Sequence, residues 1–240
     1  MRRSSSNPSP PATGPPPRRA VACPAPKAGR RGMLTIWGRA SSSNVMKVLW
    51  LCEELAIPFT RIDAGGAFGR TRDPDYLAKN PNALVPTIEE PDGFTLWESN
   101  SICRYLVRKH APGHALYPAD PRLAADVERW MDWQQASLNR PMTTVFFTYV
   151  RIPEADRDWP ATHKARAEAE ALWAMVDAEV AKHPFLCGDS LTLADIALGP
   201  YLHRWFAMPI ERAPMPALRA WYDRLMERPG FKAHLAGPLV

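Results

Sequence analysis

Ser41, Ser42, Ser43 and Asn44 follow a short apolar run, Leu34 to Trp37, and precede apolar residues at helical spacing: Val45, Val48, Leu49, Cys52 and Leu55. Such a strand-to-helix junction presents free backbone N–H groups and the positive end of a helix dipole, here among hydroxyls and an amide. Taken alone it reads first as a helix cap, a role that Ser and Asn fill well. The first helical turn, however, holds Lys47 and no acid, the reverse of what a helix requires for its own stability. The turn is therefore expected to receive an external anion, and a thiolate is one candidate. None of residues 39 to 44 is Cys, which argues against a thiol supplied by the protein itself.

Two further stretches carry similar chemistry. Val85-Pro86 stands at the entry to a strand, where an X-Pro bond can be cis and leaves the Val85 backbone free to pair with an extended peptide. An ordinary trans-Pro at a sheet edge gives the same sequence. Trp97-Glu98-Ser99-Asn100 spans the end of a strand and the start of a helix. A Ser hydroxyl and N–H groups at a helix start hold a carboxylate, and the neighbouring Glu holds an ammonium, which together suit an α-amino acid head group. A plain helix cap is the competing reading.

Positioning these groups requires a particular set of elements. Leu34–Trp37 and Phe59–Ile62 read as strands on either side of the first helix, which Pro58 closes. A Gly-rich loop, Gly65 to Gly69, and a short helix from Pro74 to Lys79 follow. Strands around Val85 to Glu90 and Phe94 to Trp97 flank the turn Pro91-Asp92-Gly93, and a helix begins at Glu98-Ser99 with Ile102, Tyr105, Leu106 and Val107 facing inward. The order βαβαββα is that of an α/β thioredoxin-like domain over residues 33–112.

From residue 119 to 240 no strand pattern recurs, so the second domain is expected to be all-α. Asp120 reads as an N-cap with Pro121 in the first turn. Helices are expected near 121–140, 160–182, 192–207 and 216–227, with Pro-rich breaks between them. Thr192-Leu-Ala-Asp195 has capping-box form, with Asp in place of Glu or Gln, and its expected role is structural.

All nine Trp, six Tyr and eight Phe lie after residue 32. The first 32 residues hold eight of the 26 Pro and seven of the 30 basic residues with no acid, a composition that cannot bury enough apolar surface to fold. Removing those seven charges from the formal +5 leaves about −2 for the rest, so a nucleic-acid partner is not expected. Three readings of the extension stay open: a transit peptide, a flexible arm, or a start assigned ahead of Met33. No apolar run approaches the roughly 18 residues that span a bilayer, so no membrane partner is expected. Cys23, Cys52, Cys103 and Cys187 form no metal or dithiol spacing; no metal site and a reducing, cytoplasmic setting are expected.

Together, the Ser-Ser-Asn-Val-Met-Lys-Val-Leu-Trp stretch, Val85-Pro86, Glu98-Ser99 and Leu191-Thr-Leu-Ala-Asp-Ile-Ala resemble the cytosolic glutathione transferases over residues 33 to about 235. The likeness is greatest to bacterial enzymes of the nu, theta and beta type. The resemblance implies glutathione as co-substrate, a small electrophile or disulfide as second substrate, a role in detoxification and a homodimer. A nu-like alignment assigns the sulfur to Ser42 with Asn44, whereas theta and delta enzymes would select Ser43. It implies that Val85 beside a cis Pro86 pairs with the cysteinyl backbone, and that Glu98 and Ser99 hold the γ-glutamyl end. Ala83 stands where many relatives have Gly, and Ala67 where nu-type enzymes place a polar contact. The electrophile pocket is expected from the start of the second domain, with Trp133 and Phe147 as candidates among aromatics that mostly belong to the core. The competing function is a catalytically silent binding or regulatory member of the family.

Overall fold

The computed structural model describes residues 32–239. The expectation for the extension over residues 1–32 lies, Gly32 apart, outside them.

Strand β1 (Leu34–Trp37) buries Leu34 and Ile36 and stands second in a four-stranded sheet. It pairs in parallel with β2 (Phe59–Ile62) and antiparallel with β3 (Thr87–Glu89), which pairs antiparallel with the edge strand β4 (Thr95–Trp97). The β3–β4 turn is closed by Asp92, whose Oδ1 accepts from the Phe94 N–H at 3.0 Å, and by Gly93 at φ 90°. Helices α1 (Ser43–Glu54), α2 (Pro74–Leu77) and α3 (Ser99–His110) complete the expected order.

The remainder is helical: α4 (Pro121–Trp133), α5 (Asn139–Phe146), α6 (Trp159–Val180), α7 (Leu193–Ala207), α8 (Pro216–Met226) and α9 (Pro229–His234). The fold is thus a thioredoxin-like α/β unit followed by an all-α unit. Asp120 caps α4 by accepting from the N–H groups of Arg122 and Leu123 at 2.9 and 3.0 Å. The Thr192–Asp195 capping box forms, and the buried Asp195 also accepts from Leu186 N–H and Trp221 Nε1, so it ties the start of α7 to α8.

The expected break after residue 140 does not occur. Wide π-helical turns at Gln134–Leu138 and Phe147–Arg151 carry the chain through Pro141. The widened turn lies just ahead of the proline, which has no N–H to give and would clash with the carbonyl four residues earlier in a regular helix. Helix α9 was not expected from the sequence pattern. Among the described residues no helix is long and apolar enough to cross a membrane.

Helix α1 is the wall shared by both halves, packing on α3, α7 and α9. Its Trp50 is fully buried against two glycines: a Cβ at Gly199 would lie 2.5 Å from the ring, and one at Gly230 2.8 Å. Lys47, also fully buried, donates to Gln134 Oε1 at 2.6 Å and to Asn100 Oδ1 at 3.2 Å. The expectation that Lys47 leaves the first turn of α1 positive for an external anion is therefore corrected. Its amine is turned into the seam between α1, α3 and the π turn after α4. Burial pushes its pKa down to about 7. Cys52 and Cys103 are core residues as expected, and burial raises both thiols, that of Cys103 to about 12.

Two outcomes follow from this seam. Gly→Ala within a helix ordinarily gains about 1 kcal/mol, but at Gly199 the new methyl meets Trp50 and overpacking costs about 1–3 kcal/mol. Gly199→Ala should lower the thermal midpoint by a few degrees in calorimetry, and a rise would refute this packing. For Lys47, the unfolded chain, with a pKa near 10.4, binds the proton that the folded chain has lost above pH 7. Stability therefore rises with pH from about 7, by at most roughly 1.4 kcal/mol per unit. Above about 8.5 the unfolded thiols ionise before the buried ones, and stability falls again. Urea midpoints at pH 7 and 8.5 should differ in the native chain, and Lys47→Met should abolish that difference.

Candidate functional site

The loop from β1 to α1 is fastened from below. Gly38 N–H donates to Ile62 O at 2.8 Å, Arg39 N–H to Ala64 O at 3.0 Å and Ser42 N–H to Arg39 O at 3.2 Å. Gly38 has no room for a side chain, because a Cβ there would collide with Val45. Ser42 is the extended residue that opens α1, at φ −82° and ψ 123°, and its carbonyl accepts from Met46 N–H at 2.8 Å. Its hydroxyl makes no hydrogen bond with any described residue. The Ser43 hydroxyl is placed otherwise: it is 3.4 Å from the Tyr201 hydroxyl of α7, which in turn donates to Asn139 Oδ1 at 2.8 Å. Backbone N–H groups of the first turn, at Ser43, Asn44 and Val45, have no backbone acceptor among the described residues.

Three loops meet beside it. A Cβ on Gly38 would lie 3.3 Å from the Val85 side chain, and one on Gly65 also 3.3 Å from it. The Val85-Pro86 bond is cis, and neither the N–H nor the carbonyl of Val85 has a hydrogen-bond partner among the described residues. Ala83 sits at φ 55°, in the left-handed region that a glycine would occupy without strain.

Glu98, at φ 71°, is exposed and turns the chain from β4 into α3. Strained backbone of this kind at a helix start occurs where surrounding structure over-determines it. The next residue, Ser99, is buried, and its hydroxyl donates to Asn44 Oδ1 at 3.4 Å. Two stretches read separately in the sequence are thus adjacent, and the N-termini of α1 and α3 open on the same cleft.

The far side of the cleft comes from the helical half. Arg204 of α7 donates to Ser41 O at 3.0 Å and lies 3.8 Å above the Phe146 ring. A cavity of about 250 Å³ opens there, lined among others by Ala40, Ser41, Met46, Phe146, Arg204 and Leu239. Neither Trp133 nor Phe147 lines it. Trp133 packs edge-on against Trp130 at 5.2 Å, and Phe147 is 47% exposed with its edge toward Phe146. A wider hollow of about 530 Å³ beside Tyr149, Ala207 and Pro209 touches no residue of the β1–α1 loop.

The structure brings Ser42, Asn44, Val85, Pro86, Glu98 and Ser99, read from separate stretches of the sequence, to one cleft, and it sets beside them Arg39, Tyr201 and Arg204, which the sequence did not single out. One signal was present for two of these. Tyr201, His203 and Arg204 are polar interruptions in Leu193–Ala207, a helix otherwise almost wholly apolar, and a charge in such a run marks a site needing a partner. No local pattern marks Arg39.

Two family models match the chain: the N-terminal domain of glutathione S-transferases over residues 41–109, and the C-terminal domain over residues 124–224. Glutathione S-transferase GstB of Escherichia coli is 39% identical over 201 residues, covering 83% of this chain and 96% of that protein. The theta class glutathione S-transferase of Xanthomonas axonopodis pv. citri, solved with glutathione bound, aligns with a TM-score of 0.83 at 43% identity. That match covers 86% of this chain and 99% of the other. Human elongation factor 1-gamma is 30% identical over 172 residues, which are 70% of this chain and 38% of that protein.

Proposed function

Because this chain belongs to the glutathione S-transferase family and is an enzyme of that family, we propose that glutathione lies across the cleft with its sulfur at Ser42. Its cysteinyl backbone runs antiparallel to Val85, and its γ-glutamyl head group rests on Glu98, Ser99 and the start of α3. The single observation that carries this assignment is the pair of adjoining helix N-termini, joined by the Ser99–Asn44 contact of 3.4 Å. Each offers N–H groups to a negative charge, one to the thiolate and one to the glutamyl carboxylate.

Ser42 is preferred over Ser43 because its hydroxyl has no hydrogen-bond partner among the described residues, whereas that of Ser43 is engaged by Tyr201. A thiol near pKa 8.5 is mostly protonated at neutral pH, and lowering it by about two units needs roughly 2.7 kcal/mol of preferential thiolate binding. One hydroxyl donor contributes about 1.5–3 kcal/mol toward a charged sulfur, and the free N–H groups of α1 add to it. Asn44 presents its Oδ1 to Ser99, so its amide NH₂ is left to face the sulfur. The thiol proton leaves to solvent on binding. The thiolate then forms a C–S bond to an electrophilic carbon as the leaving group departs with its electron pair.

The second substrate enters the cavity beside Ser41 and Phe146, in place of the Trp133 and Phe147 positions expected from sequence. The functional unit is a two-fold homodimer through α3 and α4, with the cleft near the subunit boundary. Large apolar side chains left exposed at Phe94, Trp97 and Leu123, on and beside those elements, support it.

Ser42→Ala should raise the pKa of bound glutathione by about one to two units and leave its affinity within a few fold. Ser99→Ala should do the reverse. Thiolate absorbance titrated against pH decides between them; a shift with Ser43→Ala and none with Ser42→Ala would move the sulfur to Ser43. Light scattering on the full chain should give twice the monomer mass, and an active monomer would refute the dimer.

A further inference from the structure

The cavity beside Ser41 holds a positive charge, and no Asp or Glu among the described residues lines it. Arg204 is only 8% exposed, and among the described residues no carboxylate pairs with it. Among the described residues its guanidinium has one acceptor, the Ser41 carbonyl, and one aromatic face, Phe146. A buried cation in that position is costly unless an anion joins it. Arg39 stands on the β1–α1 loop beside the cavity and outside its lining, where its charge acts on Arg204. Its side chain crosses the two glycines of the neighbouring loop, where a Cβ on Gly65 would lie 3.2 Å from Nη1 and one on Gly66 3.2 Å from Cδ. The Arg39 Nε is buried and has no hydrogen-bond partner among the described residues.

The rest of the lining does not neutralise these groups. Among the described residues the lining is otherwise apolar apart from Ser41, two histidines and backbone. His203 donates from Nε2 to Gly237 O at 3.2 Å and accepts at Nδ1 from the Tyr222 hydroxyl at 3.0 Å, and burial lowers its pKa so that it is neutral at pH 7. His234 faces Glu53 at 3.3 Å and has its own counter-charge. Burial, then neighbouring arginines, depress the pKa of Arg204 to about 10, still well above neutrality.

We propose that this cavity selects electrophiles that carry a carboxylate, held by Arg204 and Arg39 with the reacting carbon turned toward Ser42. The inference rests on the placement of the sulfur given above. Phe146, stacked under Arg204, supplies the apolar surface for the body of the substrate, and the fork of a guanidinium matches a carboxylate in two hydrogen bonds. In the reaction the carboxylate is a spectator: sulfur bonds to the carbon that bears the leaving group, and the leaving group departs as an anion.

A matched pair tests this: 4-chloro-3-nitrobenzoate and 4-chloro-3-nitrobenzamide, in which glutathione displaces chloride from the same ring position. With the full chain, kcat/KM should favour the benzoate, although its carboxylate activates the ring less than the amide does. Arg204→Gln and Arg39→Gln should each lower the benzoate-to-benzamide ratio tenfold or more. A ratio that both variants leave within twofold of the native value overturns the proposal. So does a tenfold rise in the glutathione KM with the ratio unmoved, since the guanidinium groups would then hold the tripeptide's own glycyl carboxylate. Should Arg204→Gln fail to fold, Arg39→Gln, at a side chain with no hydrogen bond among the described residues, decides the matter. Binding of the unreactive 4-nitrobenzoate and 4-nitrobenzamide, followed by tryptophan fluorescence without glutathione, separates this inference from the one beneath it. Tenfold preference for the benzoate that Arg39→Gln abolishes upholds the anion site even if neither chloride is displaced, and equal binding sinks it.

Discussion

Lys47 reaches from α1 through the core to Gln134 and Asn100, and an amine so placed leaves little freedom to the elements around it. Its two acceptors come from different halves of the molecule. Asn100 follows Ser99 at the start of α3, and Gln134 opens the π turn after α4. Any separation of these elements would leave the amine buried without an acceptor, a loss of several kcal/mol. The start of α1 is therefore held against the start of α3 and against the helical half at once. Ser42, Asn44 and Ser99 inherit their mutual positions from that constraint.

The cleft shows the same economy of motion. Ala83 and Glu98 both hold positive φ without being glycine, and they stand beside Val85 and Ser99 at the cleft. Gly38 and Gly65 bring their loops close enough to the Val85 side chain to exclude a methyl group without adjustment. A site built on tightened turns between rigid elements loses little entropy when its ligand arrives. Both helix dipoles are directed into it before any ligand is present.

What the sequence made legible was what is encoded locally. Strands at Leu34–Trp37 and Phe59–Ile62, the Pro91-Asp92-Gly93 turn, the Asp120 cap and the Thr192–Asp195 box appear in the structure where their patterns stand. Ser42, Val85 and Ser99 stand out in the sequence for the same reason, each lying at a junction between such patterns. Lys47 was misread because its position in the first turn suggests solvent, whereas its acceptors are 53 and 87 residues away. Pro141 marked a break that the π turns absorb, and nothing in single-residue preferences announces a π turn. The wall of the cavity beside Ser41 needs α5, α7 and the C-terminal segment to meet the β1–α1 loop. Phe146 and Arg204, 58 residues apart, declare that meeting only in the folded chain.

The seat of Trp50 bears on how such a chain can be recombined. Residues 112–119 look like a clean boundary, a Pro-rich link between two autonomous modules, and the natural place to splice one half onto another. Yet the indole of the first module is seated against Gly199 and Gly230 of the second, with less than a methyl group to spare. A chimaera joined at the link inherits a matched set only if the incoming helices bring glycine at both places. The unit that evolution or an engineer can exchange is thus not a module bounded by the link but a fitted pair of surfaces, whose residues must drift together or not at all.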